Sequence, residues 1–322
     1  MQDLKNKLVF KPNRENPEES EKMNRWLVKF KEEREFDGIM KNTMTTDVVR
    51  LKIFLDFVEK RLEKEPDNMR NSDFIQFFNY LNTERKLSKS TQNRYFNLLK
   101  VFYRTMRLSN FLDFSDESIE RKRFSRSEVK HYDAISEAEL NEVIQSIVDG
   151  KSKTQIRDAL VIRLLWDTGC RLSEVINLKY EDCDFKEGIF KLKNTKGKVE
   201  RTVTCSKDTL DVLNQYKQYN PNSKPENYIF QTIEGKIIRK NWISKVFREH
   251  VKKLKEKGII ARNRRLVTHS LRHGRAVDFL DKGVPIDIVK EYLGHASLET
   301  TLFYSHSRER KDKMLKDLKK LL

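Results

Sequence analysis

Apolar residues recur at three- and four-residue steps through most of this chain, the mark of helices with one buried face. In VVRLKIFLDFVEKRL, Leu51, Phe54, Leu55 and Val58 form one stripe, with Thr45, Thr46 or Asp47 offering the N-cap. SDFIQFFNYLNTER predicts a second helix capped by Ser72 or Asp73. STQNRYFNLLKVFYRTMR predicts a third, whose Tyr95, Leu98, Leu99, Phe102 and Met106 belong to a core rather than to a base-stacking platform. Residues 18–112 therefore read as a helical domain, preceded by a polar tail over residues 1–17. From Asp113 to Asp133 the pattern lapses into charged, Ser-containing, aperiodic sequence, which is linker composition.

Order resumes at ISEAELNEVI. Ser136 and Glu139 make a capping box, and Ile135 and Leu140 are spaced as a hydrophobic staple, so a second domain is expected over 134–322. QIRDALVIRLLWDTG reads as a largely buried helix ending near Gly169. IFKLKN and ERTVTC alternate like hairpin strands around TKGK, Ser206 opens a further helix, and YIFQT and KIIRK read as short extended pieces. A basic helix starts near residue 241. Thr268 caps the next, Pro285 sits in the first turn of PIDIVKEYL, Gly294 ends it, and Ser297 caps LETTLFYSH. Residues 308–322 carry Met314, Leu315, Leu318, Leu321 and Leu322 on a short amphipathic helix. The expected fold class is mainly α with a small β-hairpin or sheet, in two domains.

Composition narrows the class. Of 322 residues 36% are charged, and the formal net charge is +17, which favours a polyanionic partner. Between Lys236 and Arg265 twelve Lys/Arg face two Glu, interleaved with Trp242, Val246, Phe247 and Val251 at helical spacing. That is a packed helix with a basic outer face, a phosphate-facing surface on which Lys240, Lys245, Arg248, Lys252, Arg262, Arg264 and Arg265 are the candidate contacts. No apolar run is long enough to cross a bilayer. Three cysteines without a CxxC pair argue against a disulfide frame or zinc site and fit a reduced, cytoplasmic setting.

Several polar residues cluster at element boundaries. Arg171 opens a helix in TGCRLSEV, where amide groups and the helix dipole also attract anions, and Glu174 is one turn along. Lys196 tips the TKGK hairpin, with Lys198 the other choice there. His269 and Arg272 are three apart on one helix. His295 follows Gly294, and Tyr304 lies in TLFYSH. Taken singly, each has an ordinary structural explanation, as a surface pair, a solvated lysine, a helix cap or a core aromatic.

Together they resemble the tyrosine recombinases, the family of phage integrases and Xer-type recombinases. TGCRLSEV is similar to that family's first arginine box, THSLRH to its H-x-x-R box and LGHASLETTLFYSH to its third box with the tyrosine, while STQNRYFNLLKVFYRTMR resembles the last helices of its core-binding domain. The resemblance spans nearly the whole chain after the tail. It implies a two-domain clamp on double-stranded DNA, a helical core-binding domain plus a mixed α+β catalytic domain. It also implies strand exchange in a tetramer and a catalytic set of Arg171, Lys196, His269, Arg272, His295 and Tyr304. The 308–322 helix would dock on a neighbouring copy or on its own domain. One departure is GRAVDFL after THSLRH, where the family more often has a small hydroxylated residue and then an aromatic. Arg275 is thus not assigned to catalysis, and packing and phosphate contact both remain open for it.

The chemistry of these side chains suits phosphodiester transfer. A phenol with a pKa near ~10 needs a proton acceptor and in-line placement to attack at neutral pH. His269 is the candidate base, with a hydrogen-bonding role as the alternative. Two guanidiniums stay ionised and fork onto the non-bridging oxygens as charge builds there, and His295 adds a hydrogen bond. Lys196 can protonate the leaving 5′-oxygen. A type IB topoisomerase or telomere resolvase shares this chemistry, and a non-cutting architectural protein would lack need of the tyrosine. No Asp/Glu cluster with metal-site spacing accompanies the set, and two arginines already supply the charge of a metal. No cofactor and no divalent metal is expected: a chelator should leave covalent complex formation on duplex DNA unchanged, and its abolition would overturn this reading.

Overall fold

The computed structural model describes residues 19–124, 132–193 and 200–294, and backbone contacts divide the chain into two units, 1–130 and 131–322. The polar tail, Lys196, Lys198, His295, Ser297, Tyr304 and the 308–322 helix lie outside the described residues.

The first unit holds α1 (Glu21–Phe36), α2 (Lys41–Leu62), α3 (Asn71–Thr83), α4 (Lys89–Thr105) and α5 (Leu112–Glu120). Leu51, Phe54, Leu55 and Val58 of α2 meet Phe77 of α3 and Tyr95, Leu98, Leu99 and Phe102 of α4 in one buried cluster, so the aromatics are core. Ring pairs such as Phe54 with Phe77 meet edge to face at 5.1 Å, the arrangement their quadrupoles favour.

Caps and boundaries differ from expectation. Helix α2 starts a turn early: the Thr45 and Thr46 hydroxyls bond back to the Lys41 and Asn42 carbonyls inside the helix instead of capping it. In α3 the cap position is Arg70, and Asp73 sits three residues in, accepting the Arg70 N–H at 2.8 Å. The linker expected from Asp113 is helix α5 at its start. Phe114, Ser115 and Ser118 form its buried side, and Phe124 stacks on Phe96 at 4.6 Å. Small hydroxylated residues allow that close packing, which is why the stretch looked aperiodic.

The second unit runs α6 (Glu137–Val148), α7 (Gln155–Thr168), α8 (Leu172–Ile176), β1 (Cys183–Asp184), β2 (Ile189–Leu192), β3 (Arg201–Thr204), α9 (Lys207–Tyr219), α10 (Lys240–Glu256), α11 (Thr268–Asp281) and α12 (Ile286–Leu293). The Ser136–Glu139 capping box is formed, with Ser136 N–H donating to Glu139 at 2.9 Å. The hairpin gains an edge strand: order β1-β2-β3, antiparallel, with Leu192 opposite Arg201 next to the β2–β3 turn. Two residues are too few to show alternation, so β1 left no sequence signal. Thr268 is the first residue of α11, not its cap, and Ser270 accepts the Val267 N–H instead. Pro285 likewise stands one place outside α12, at its N-cap.

Helix α7 is the centre of this unit, buried on nearly every side between α6, α9, α10 and α11. Its closest approach is to α11. A Cβ on Gly274 would lie 2.1 Å from the Ile135 carbonyl oxygen and 2.5 Å from the Trp166 ring, so only glycine fits. Because a backbone atom blocks the space, Gly274→Ala should destabilise the protein by about 1 to 3 kcal/mol through overpacking. Urea unfolding checks it, and an unchanged midpoint would refute the packing account.

Candidate active site

The site is built where α7 ends. Arg171 is the N-cap residue of the five-residue helix α8, and Glu174 at its third position accepts the Arg171 backbone N–H at 2.8 Å. The other carboxylate oxygen accepts Arg171 Nη1 at 3.0 Å. Burial acts to raise the Glu174 pKa, but hydrogen bonds from Arg201 and from Arg171 outweigh it and hold the carboxyl below its ordinary value. Arg171 Nη2 reaches the Gly294 carbonyl at 3.4 Å, so this guanidinium lies at the C-terminus of α12.

Arg272 comes to the same place from α11. It is 2% exposed, and its Nη1 and Nη2 donate to the carbonyls of Gly169 and Leu293 at 2.8 and 2.7 Å. His269 stands one turn earlier on α11 and is exposed. Its pKa is lowered, first by desolvation and then by the Arg272 and Arg171 charges. Because the residue opens to solvent, the two guanidiniums are the firmer cause. The imidazole is therefore neutral at neutral pH, the form that can accept a proton. Between the arginines, Cys170 is buried and its thiol is pushed up to about 11, so it is no nucleophile.

The structure thus brings Arg171, Glu174, His269 and Arg272 together. It adds Arg201, at the start of β3, whose Nη2 and Nη1 donate to Glu174 at 2.7 and 3.3 Å. A signal for Arg201 existed: it shares the inward face of ERTVTC with Val203, a place where an arginine needs a buried partner. Arg275 is a packing residue, paired with Asp278 at 2.7 Å and lying 4.2 Å over the Phe279 ring.

The basic surface is mostly as expected. Lys240, Lys245, Arg248 and Lys252 are exposed on α10 above a buried Ile243, Phe247, Val251 and Leu254, and Arg262 and Arg265 are exposed beyond it. Trp242 was placed in the apolar stripe, yet it is 43% exposed, with its indole N–H held by Asp158 at 2.9 Å. Arg264 departs too. It turns inward to the Ala134 carbonyl and Glu139, tying the α6 cap to the segment before α11, and so serves the fold rather than an open phosphate surface.

Residues 134–311 match the phage integrase family, and residues 26–110 match the N-terminal SAM-like domain of phage integrases. A probable integrase/recombinase protein of Methanocaldococcus jannaschii is 54% identical over 99% of this chain and 97% of its own length. The tyrosine recombinase XerA of Pyrococcus furiosus is 30% identical over 84% of this chain and 85% of its own. Two solved structures share the fold. The Tn1549 transposon integrase in complex with a circular intermediate DNA has a TM-score of 0.68 at 19% identity, covering 91% of this chain and 99% of that one. A λ integrase dimer bound to a COC′ core site has a TM-score of 0.67 at 16% identity, covering 89% and 78%.

The lowered His269 pKa sets a pH test. If neutral His269 is the base, covalent complex formation at subsaturating DNA, which reports the free enzyme, should fall only as pH drops through a value below the ordinary ~6.5 of imidazole. An acidic limb centred above pH ~7 would contradict it.

Proposed function

The chain belongs to the phage integrase family, and from that premise we propose how its own residues carry out site-specific recombination, the breaking and rejoining of DNA strands. The oxygen of Tyr304 attacks a backbone phosphorus, forming a 3′-phosphotyrosine while the bond to the 5′-oxygen breaks. The phenolic proton passes to His269, and Lys196 supplies one to the departing oxygen. A hydroxyl from the partner strand then attacks the phosphotyrosine and frees the tyrosine. The phosphoester bond is conserved throughout, so no nucleotide is consumed.

One observation supports this most directly: Arg171 and Arg272 reach, from different helices, the carbonyls at the C-terminus of α12. Tyr304 follows ten residues after Gly294, so a short stretch of chain joins it to that point. Fixed guanidinium donors aimed at developing phosphate charge are typically worth ~3 to 4 kcal/mol each. His295, next after Gly294, contributes a further hydrogen bond.

Double-stranded DNA is the partner, met by the exposed basic face of α10 and by Arg262 and Arg265. Exchange of two duplexes calls for four sites, so the working form is a tetramer on DNA, linked by the 308–322 helix in trans. Among the described residues no helix is long and apolar enough to cross a membrane, and all three cysteines are free thiols, in keeping with work in the cytoplasm. Relaxation of supercoils in the manner of a type IB topoisomerase, resolution of telomeres and non-cutting architecture are not favoured.

A nicked suicide duplex tests the nucleophile. Wild-type protein should form a denaturation-resistant adduct with the DNA, and Tyr304→Phe should form none. An adduct that persists in Tyr304→Phe would refute the assignment.

A further inference from the structure

Resting on the strand-transfer reading above, we propose that Arg201 is a positioning residue: it balances the charge of Glu174 so that Arg171 keeps its own charge for the DNA phosphate. Glu174 has a side chain only 3% exposed, and it meets two guanidiniums. With Arg171 alone, a buried carboxylate and a guanidinium would form a neutral pair. That pair would leave Arg171 little net charge to offer an incoming anion. A second guanidinium changes the sum to one net positive charge, in a partly dry site where charge acts strongly.

Geometry decides which arginine is free to act. The Arg201 side chain is 11% exposed and grips both carboxylate oxygens, whereas that of Arg171 is 30% exposed and touches one with a single nitrogen of its fork. Arg201 is the inward anchor and Arg171 the outward donor. Arg201 also stands opposite Leu192, the last pair before the turn of the β2–β3 hairpin, and that turn carries Lys196 in sequence. It packs against the residue that precedes His295: a Cβ on Gly294 would lie 3.0 Å from Arg201 Nη1. One guanidinium therefore adjoins the Arg171 box, the base of the lysine hairpin and the exit of α12.

The test compares covalent-adduct rate and DNA affinity on the nicked suicide duplex for wild type, Arg201→Gln and the double variant Glu174→Gln/Arg201→Gln, with a melting curve for each. Arg201→Gln should slow adduct formation about tenfold or more while changing affinity less than about threefold. Removing the carboxylate as well should restore at least about threefold of the lost rate, because Arg171 regains its net charge. A merely structural arginine would give no such rescue. Arg201→Gln cleaving at the wild-type rate, or a folded double variant no faster than the single, overturns the proposal. If Arg201→Gln does not fold, Arg201→Lys replaces it and should exceed about a tenth of the wild-type rate, a lower rate at unchanged affinity being the contrary result. Absence of an adduct in wild type would instead sink the strand-transfer reading itself.

Discussion

A charged guanidinium is held in the interior here by the carbonyl oxygens of two helix ends. Arg272 donates to Gly169, which closes α7, and to Leu293, which ends α12. Helix C-termini carry roughly half a negative charge each, so the two ends together offset part of the cost of burying one cation. The same two bonds fasten three helices at one point. Arg272 cannot lose its proton to relieve the cost of burial, so the contact is permanent. Position and charge are fixed by one set of atoms, which is what a phosphate-binding group requires.

Around that fixed charge the other groups differ in how freely they are bound. Glu174 is clamped from both sides, Arg201 is turned inward, and Arg171 keeps one edge towards solvent. The pKa of His269 is lowered by desolvation and by the charges of Arg272 and Arg171. A positive potential that would favour an incoming phosphate also helps to keep the imidazole neutral, the form able to accept a proton. The exposed basic face of α10 carries further positive charge, and its Lys245 and Lys252 lie 3.8 and 3.7 Å from a glutamate one turn on, a loose pairing that leaves the ammonium groups open to solvent.

Much of this was legible in the chain. Long amphipathic helices such as α2 and α4 showed in their stripes because burial of one face requires that period. Arg171, Glu174, His269 and Arg272 showed because they sit at helix starts within distinctive boxes. What failed to show depended on contacts distant in sequence. Helix α5 was missed because its buried side uses serines, and the two-residue β1 has too few positions for a pattern. Arg264 looked like its exposed neighbours until its partners, Ala134 and Glu139, were seen to come from the other end of the unit. Arg201 was visible as an inward-facing cation, but its importance lay in Glu174, twenty-seven residues earlier. Local caps misled by one to five residues at Thr45, Ser72 and Thr268: Asp73 and Ser270 took the role at the latter two, while α2 begins after Met40 with no side-chain cap.

Gly294 is left-handed, at φ 67°, and the space beside its Cα is filled by the guanidinium of Arg201. Any other amino acid there would meet a backbone penalty and a tight contact, for which the Arg201 side chain would have to give by a few tenths of an ångström; shortening Arg201 would remove only the second. The two positions, ninety-three apart in sequence, are therefore constrained differently: any side chain at 294 carries the left-handed backbone penalty whatever stands at 201, whereas a change at 201 strains no backbone.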